Sequence, residues 1–334
     1  MKLLISYGTR PEYIKLVPLM EELEGKIPFK TFYTGQHKDL IPEGIKPDYV
    51  LRDPGCMDGG NRLDSIVANI LGHSEMFNQA FTHVMVQGDT TSAFAVALGA
   101  FHRQIPVIHL EAGLRTYKAT PYPEEFNRTA ISKMAYIHLC PTKQNLNNLM
   151  RDGINTPHMY VTGNTVIDNI KHISPTYGDT VLVTMHRREN HEKLPEYFKV
   201  ISKLAENNLG LEFIIPLHPN PNVQKHKALL KGVNVVKPMP YDKFIHELAS
   251  CRMVITDSGG LQEEASHFGK MVIVCRDSTE RPETVGTYSY MCRDADHLEK
   301  LFESVNLMGE QEFGNSPYGD GQASKKIREI LEKL

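Results

Sequence analysis

Short apolar runs alternate along this chain with longer stretches in which apolar residues recur every three or four positions. The runs at residues 3–6, 30–33, 83–86, 107–110, 159–161, 181–184, 212–215, 233–236, 253–256 and 272–275 read as strands. The stretches at 13–24, 92–102, 194–207 and 260–268 carry the period of an amphipathic helix. Strand–helix alternation builds parallel sheets covered by helices. The strand runs are apolar on both sides of the pleat, which suits sheets buried on both faces. Gly163-Asn164 closes one unit, Pro175-Thr176-Tyr177-Gly178 follows a short helix, and a new strand then restarts the pattern. The prediction is an α/β fold of two Rossmann-type, doubly wound parallel-sheet domains, residues 1–166 and 167–322, facing a central cleft. The last stretch, 323–334, reads as a charged amphipathic helix. Ligands of such sheets bind outside the carboxyl ends of the strands.

The chain has 334 residues, enough for two cores of ordinary size. Hydrophobic residues make up 41% and charged residues 23%, a globular composition. A net charge of −3 argues against a general nucleic-acid binder. No apolar run reaches the roughly 18–20 residues that span a bilayer. The apolar start, Met1 to Ile5, ends at Tyr7-Gly8, too short for a signal sequence, and reads as a buried first strand. The five cysteines have neither zinc nor disulfide spacing. Reduced thiols in the cytoplasm are expected.

Unusual residues recur directly after strand runs. Gly8-Thr9-Arg10-Pro11-Glu12 follows the first: Gly8 permits a tight turn, Thr9 caps, Pro11 suits a first helical turn, and Arg10 lies where an anion is favoured. In Gln87-Gly88-Asp89-Thr90, Asp89 is a candidate base, although as an isolated residue it reads more simply as the cap of the next helix. In His109-Leu110-Glu111-Ala112-Gly113-Leu114-Arg115, burial beside the strand suits Glu111 to proton transfer, with a structural ion pair to Arg115 as the plainer alternative. Glu124 and Arg128 stand four apart on one helix face, the spacing of an ordinary surface salt bridge. Three carboxylates on neighbouring loops could converge, as proton transfer at carbon requires.

In the second half, His186 follows a strand in Met185-His186-Arg187-Arg188-Glu189-Asn190 and is a candidate phosphate donor or acid/base. His218 lies in a loop fixed by Pro219 and Pro221, where a structural and a functional role are both open to it. Residues 241–250 read as an ordinary helix. Asp257-Ser258-Gly259-Gly260-Leu261-Gln262-Glu263-Glu264 is the strongest local signal. A strand ends, two glycines bare their backbone N–H groups and a helix begins, which is a cradle for a diphosphate. Glu264, one turn in, could reach ribose hydroxyls. Arg276-Asp277-Ser278-Thr279-Glu280-Arg281 adds cations and carboxylates after the next strand. There is no GxGxxG after the first strand and no GxxxxGK[ST], which argues against a nicotinamide dehydrogenase and a P-loop enzyme.

GTRPE at 8–12, QGDT at 87–90, HLEAGLRT at 109–116, PEEFNR at 123–128, GNTVID at 163–168, HRREN at 186–190, HPNP at 218–221, DSGGLQEEA at 257–265, STERPE at 278–283 and PYGDGQA at 317–323 together resemble the non-hydrolysing UDP-N-acetylglucosamine 2-epimerases. The resemblance implies a GT-B-like fold, with the 323–334 helix packing back on the first domain, and no metal or redox cofactor. It implies reversible conversion of UDP-N-acetylglucosamine to UDP-N-acetylmannosamine, by elimination and re-addition of UDP through 2-acetamidoglucal. Asp89, Glu111 and Glu124 then correspond to the acid/base carboxylates, and His186 to the group that stabilises the leaving diphosphate. Arg10, Lys15, Arg128, Ser258, Gly259, Glu264 and Arg281 correspond to substrate or UDP contacts. The resemblance also implies a cytoplasmic homodimer that binds neither membrane nor nucleic acid and feeds polysaccharide synthesis.

The stretch from Gln36 to Gln87 is shorter than in typical members, with the usual helix reduced to about 38–43. Gln36, Arg62 and His218 are the candidates left for a second, activating substrate site. Rival readings are a 2-epimerase of a modified UDP-sugar (a 2,3-diacetamido uronate), a GT-B glycosyltransferase, a nucleotide-sugar sensor and a hydrolysing epimerase. The glycosyltransferase and the sensor leave the carboxylate motifs unexplained, and product analysis separates the hydrolysing epimerase, which releases free N-acetylmannosamine and UDP.

Overall fold

A computed structural model of the chain describes residues 1–37, 46–51, 61–77, 80–311 and 313–334. The helix expected at 38–43 and Cys56 lie outside the described residues. The contacts divide the chain into two compact units, Met1–Asn169 with Tyr318–Leu334, and Ile170–Pro317.

The first unit carries a seven-stranded sheet. Its strands are β1 (Leu3–Tyr7), β2 (Phe29–Tyr33), β3 (Tyr49–Val50), β4 (His83–Gln87), β5 (Val107–Leu110), β6 (Ala135–Cys140) and β7 (Met159–Val161). The order is β3-β2-β1-β4-β5-β6-β7, with every described pairing parallel. Successive residues of a strand feed opposite faces. Leu4, Val84 and Val86 pack with Ile66, Ile70 and Ala97 on one side. Leu3, Ile5 and Met85 pack with Leu16, Leu19 and Leu23 on the other. Each such side chain contributes about 1.5–3 kcal/mol when fully buried, and the two faces together explain why these runs do not alternate.

The Ala323–Leu331 helix joins this second face through Ile327 and Leu331. Its first backbone N–H groups, at Ala323 and Ser324, donate to the Asp168 carboxylate at 3.0 and 2.7 Å. Arg328 reaches Glu22 at 2.6 Å. Asp168 of the GNTVID motif therefore caps a helix from a distant part of the chain.

The second unit carries a six-stranded sheet in the order β10-β9-β8-β11-β12-β13. Its strands are β8 (Thr180–Thr184), β9 (Glu212–Pro216), β10 (Asn234–Val236), β11 (Met253–Thr256), β12 (Met271–Cys275) and β13 (Ser289–Cys292). Val181, Val183, Phe213, Ile255 and Ile273 form its core with Tyr197, Phe198 and Phe302 of the Leu194–Asn207 and Ala295–Met308 helices.

β3, β6 and β13 were not expected from the sequence. β6 follows the Glu124–Met134 helix without a turn residue, and buried His138 interrupts its apolar run. β3 has two residues, and β13, which begins with a serine, lies at a sheet edge. The unit boundaries also differ from those expected. The second falls at 317/318 rather than 322/323, because Tyr318 is buried and its carbonyl accepts from the Asn164 N–H at 2.8 Å.

Candidate active site

Strand order reverses between β1 and β4 in the first sheet and between β8 and β11 in the second. Open parallel sheets bind ligands at such switch points. The loops after these four strands are the GTRPE, QGDT, HRREN and DSGG segments.

In the first unit, Gly8 allows close packing after β1, since a Cβ there would lie 2.2 Å from Thr34 Oγ1 and 2.6 Å from Ser92 Oγ. The helix that follows is Arg10–Leu23, capped at Thr9, and it starts earlier than its periodicity suggested. Arg10, its first residue, is exposed and forms no side-chain hydrogen bond or ion pair with another described residue. Lys15, one turn further, is buried.

Asp89 does not cap the helix after β4; Thr90 does, its hydroxyl accepting from the Ala93 N–H at 3.0 Å. Asp89 Oδ2 instead meets Arg128 Nη2 at 2.5 Å. Its carbonyl accepts from Asn127 at 2.9 Å. Arg128 is buried and also reaches Glu125 at 3.3 Å, so it is not part of a surface bridge. Glu124, half-buried, opens the helix that carries both Asn127 and Arg128.

Glu111 follows β5 with φ +67°, the left-handed region that costs a non-glycine residue about 1–3 kcal/mol. Its Oε1 lies 2.5 Å from Lys15 Nζ and 3.4 Å from Asn164 Nδ2, and its Oε2 accepts from Gln87. The ion pair weighed for Glu111 with Arg115 is not how Arg115 is used, since its Nε meets Asp152 at 2.7 Å. Gln87 and Asn164 thus belong to the site, although their motifs suggested only loops. His109 is neutral because burial pushes it down to about 3, and its Nε2–H donates to the Gly88 carbonyl at 2.8 Å. Asp89 and Glu111 are thus held by Gln87 of β4, by Lys15 and Arg128 from two helices, and by Asn164 after β7.

Two candidates for a second substrate site meet here. Gln36 Oε1 accepts from the Ser92 N–H and hydroxyl at 3.0 and 2.7 Å, and Arg62 donates to the Gln36 carbonyl at 2.6 Å.

In the second unit, Asp257 is fully buried after β11 and accepts from the backbone N–H of His186 at 3.0 Å, of Arg187 at 2.9 Å, and from Asn190 Nδ2 at 3.1 Å. The loop after β8 is thereby hung on Asp257. His186 stacks on His218, with ring centroids 5.2 Å apart, which puts His218 beside the candidate phosphate-binding side chain. Burial lowers the His186 pKa, and Asp257, 3.8 Å from Nδ1, opposes that shift.

The two glycines differ. A Cβ on Gly259 would meet Glu280 Oε1 at 2.4 Å and Arg281 Nη1 at 2.6 Å, whereas one on Gly260 would meet nothing within 4 Å. Arg281 is buried and paired with Glu263 at 2.8 Å and with Glu280, whose other oxygen meets Arg276 at 3.0 Å. Gly259 is therefore required by a buried ion-pair chain, and the open approach to the helix N-terminus lies over Gly260. The Ser258 backbone N–H donates to Thr256 Oγ1 at 2.9 Å, which leaves its hydroxyl as the group available to an anion. Glu264 accepts from the Tyr241 hydroxyl at 2.7 Å, so Tyr241, taken from the sequence as part of an ordinary helix, orients the candidate ribose contact. Among the described residues no cluster of His, Cys, Asp and Glu could hold a metal ion, and no helix is long and apolar enough to cross a membrane.

The sequence profile of the UDP-N-acetylglucosamine 2-epimerase family matches residues 21–332. A curated UDP-N-acetylglucosamine 2-epimerase from Campylobacter jejuni is 37% identical over 99% of this chain and 97% of its own length. That alignment runs over 376 positions against 334 residues here, so the relative carries residues with no counterpart in this chain. The crystal structure of UDP-GlcNAc 2-epimerase from Neisseria meningitidis bound to UDP-GlcNAc is 36% identical, with a TM-score of 0.89 over 100% of both chains. The Methanocaldococcus jannaschii UDP-GlcNAc 2-epimerase in complex with UDP-GlcNAc and UDP is 28% identical, with a TM-score of 0.85 and 100% of both chains covered. With its two parallel α/β sheets and this full-length likeness, the chain belongs to the UDP-N-acetylglucosamine 2-epimerase family, a family of isomerases.

Proposed function

We propose that this enzyme converts UDP-N-acetylglucosamine to UDP-N-acetylmannosamine and back by elimination and re-addition of UDP. The observation that carries the reading is the pinned pair Asp89 and Glu111 on neighbouring strand-end loops of the first unit, with Glu124 on the helix tied to Asp89. A C–H beside an acetamido group is weakly acidic, so its base must be held in place and departure of the leaving group must be assisted.

In the forward direction a carboxylate takes the C2 proton. The C–H electron pair forms the C1=C2 bond, and the C1–O pair leaves with UDP. The diphosphate oxygen then re-adds to C1 while a carboxyl group on the other face returns a proton to C2. Electrons balance without an oxidant or reductant. In this scheme His186, the Ser258 hydroxyl and the N–H groups at Gly260 stabilise the departing diphosphate. Glu264 holds the ribose, and Arg10 and Lys15 are further substrate contacts. The four described cysteines are buried free thiols, which supports placing the enzyme in the reducing cytoplasm.

The test is proton NMR of UDP-N-acetylglucosamine with enzyme in D2O. New anomeric signals of the manno epimer, with deuterium at C2, are expected. Free sugar and free UDP as the only products would refute retention of the intermediate, and no change would refute the substrate. Asp89→Asn and Glu111→Gln should each lower turnover by roughly 10²–10⁴-fold while UDP still binds, and near-normal rates would refute the acid/base assignment. We further propose a homodimer, and light scattering that gives a monomer mass at micromolar concentration would overturn it.

A further inference from the structure

Glu12 has no role in the scheme above, yet its surroundings are unusual. It is 2% exposed and forms no ion pair with another described residue. A buried carboxylate without a cation costs several kcal/mol unless hydrogen bonds replace its water. Here four donors do so. Gly8 N–H at 3.1 Å, Thr9 N–H at 2.7 Å and the Thr9 hydroxyl at 2.7 Å all reach Oε2. The Thr90 hydroxyl reaches Oε1 at 2.8 Å.

The bonds to Thr9 are an ordinary reach from the third helical residue back to the cap, which a surface glutamate makes in water. The bond to Thr90 is different in kind, because it leaves the helix for a loop 78 residues away. Thr90 also accepts from the Ala93 N–H, so its hydroxyl is held from both sides and its orientation is fixed. Two helices, Arg10–Leu23 and Thr91–His102, therefore begin at this one carboxylate, and their positive ends favour its charge. Thr90 is joined by its peptide bond to Asp89, whose side chain then meets Arg128.

We propose that Glu12 is a positioning residue for Asp89, fastening the loop after β1 to the loop after β4 through Thr90 so that the Asp89 carboxylate stands where the reaction needs it. This rests on the functional reading above. Glu12 touches no substrate; it sets the backbone from which Asp89 projects.

The experiment compares wild type, E12Q, T90V, E12Q/T90V and T90S as full chains, each checked by thermal melting and assayed well below its melting temperature. The readouts are kcat, KM and deuterium entry at C2. In E12Q one arm becomes an amide NH2 facing donors, and T90V cuts the link to the second loop together with the Thr90 cap on the Ala93 N–H while leaving the Glu12 bonds to Gly8 and Thr9. Both singles should lose about ten- to hundredfold in kcat and in C2 exchange, the scale of a misplacement near 1 Å, with KM nearly unchanged. The double variant should be no slower than the slower single, because both cut one connection. T90S, which returns the hydroxyl, should restore the rate. Near-wild-type kcat in folded E12Q or T90V, multiplying losses in the double, or T90S as slow as T90V would each overturn the inference. Exchange by wild type and variants alike overturns the inference alone. No exchange by wild type overturns the functional reading, and the inference falls with it.

Discussion

Adjacent glycines at the start of the Gly260–His267 helix should respond to alanine in opposite ways. At Gly259 the new methyl would sit 2.4 Å from Glu280 Oε1, 2.6 Å from Arg281 Nη1 and 3.3 Å from Arg276 Nη1. Charged tips on a surface would swing away. These are each under 7% exposed and committed to one another and to Glu263, so moving one strands another in the interior. Breaking a buried pair outright costs about 3–5 kcal/mol and overpacking about 1–3 kcal/mol. Partial displacement should cost about 2–4 kcal/mol, which lowers the melting temperature of a unit this size by roughly 5–15 °C. At Gly260 the methyl meets nothing within 4 Å and the backbone is helical, so alanine should stabilise by about 0.4–1 kcal/mol. If a diphosphate rests over that open position, the same methyl should weaken UDP binding by about tenfold or more, or about 1.4 kcal/mol. Differential scanning calorimetry with UDP titration measures both variants. A Gly259→Ala protein that melts like wild type would refute the packing argument, and a Gly260→Ala protein that binds UDP normally would refute the placement of the diphosphate.

Two further outcomes follow from buried carboxylates. Burial pushes Glu12 up to about 7 from its ordinary 4.5, so the folded state holds this proton more tightly than the unfolded chain. The associated stability is present in full below about 4.5 and is lost as pH rises through about 7, up to about 3 kcal/mol. Urea unfolding from pH 5 to 8 should show wild type losing stability relative to Glu12→Gln, and a constant difference would refute this. Asp257→Asn puts an amide NH2 among donors from His186, Arg187 and Asn190. It should destabilise by about 2–4 kcal/mol and weaken UDP binding through His186, and unchanged calorimetric UDP affinity in folded protein would count against that linkage.

The chain's own pattern determined much of this protein. A sheet covered on both faces needs continuous apolar runs, and covalent order then places the next residues at a strand's carboxyl end. That is why Arg10, Asp89, Glu111, His186 and Ser258 could be picked out by position, and why two parallel-sheet domains were legible. Where those signals were missing, the reading failed. β6 joins its preceding helix without a turn, and edge strands such as β3 and β13 need little apolar length. The partners were not legible at all. Nearness in one loop offered Glu111 to Arg115, but the folded chain gave Glu111 to Lys15, 96 residues away, and Arg115 to Asp152, and it brought Asp89 to Arg128 from another loop. The two glycines looked alike in sequence and were separated only by what packs over them. Periodicity reports which face an element buries. Which charge meets which is decided by strand order and loop closure across the sheet, where neighbours in space are distant in the chain.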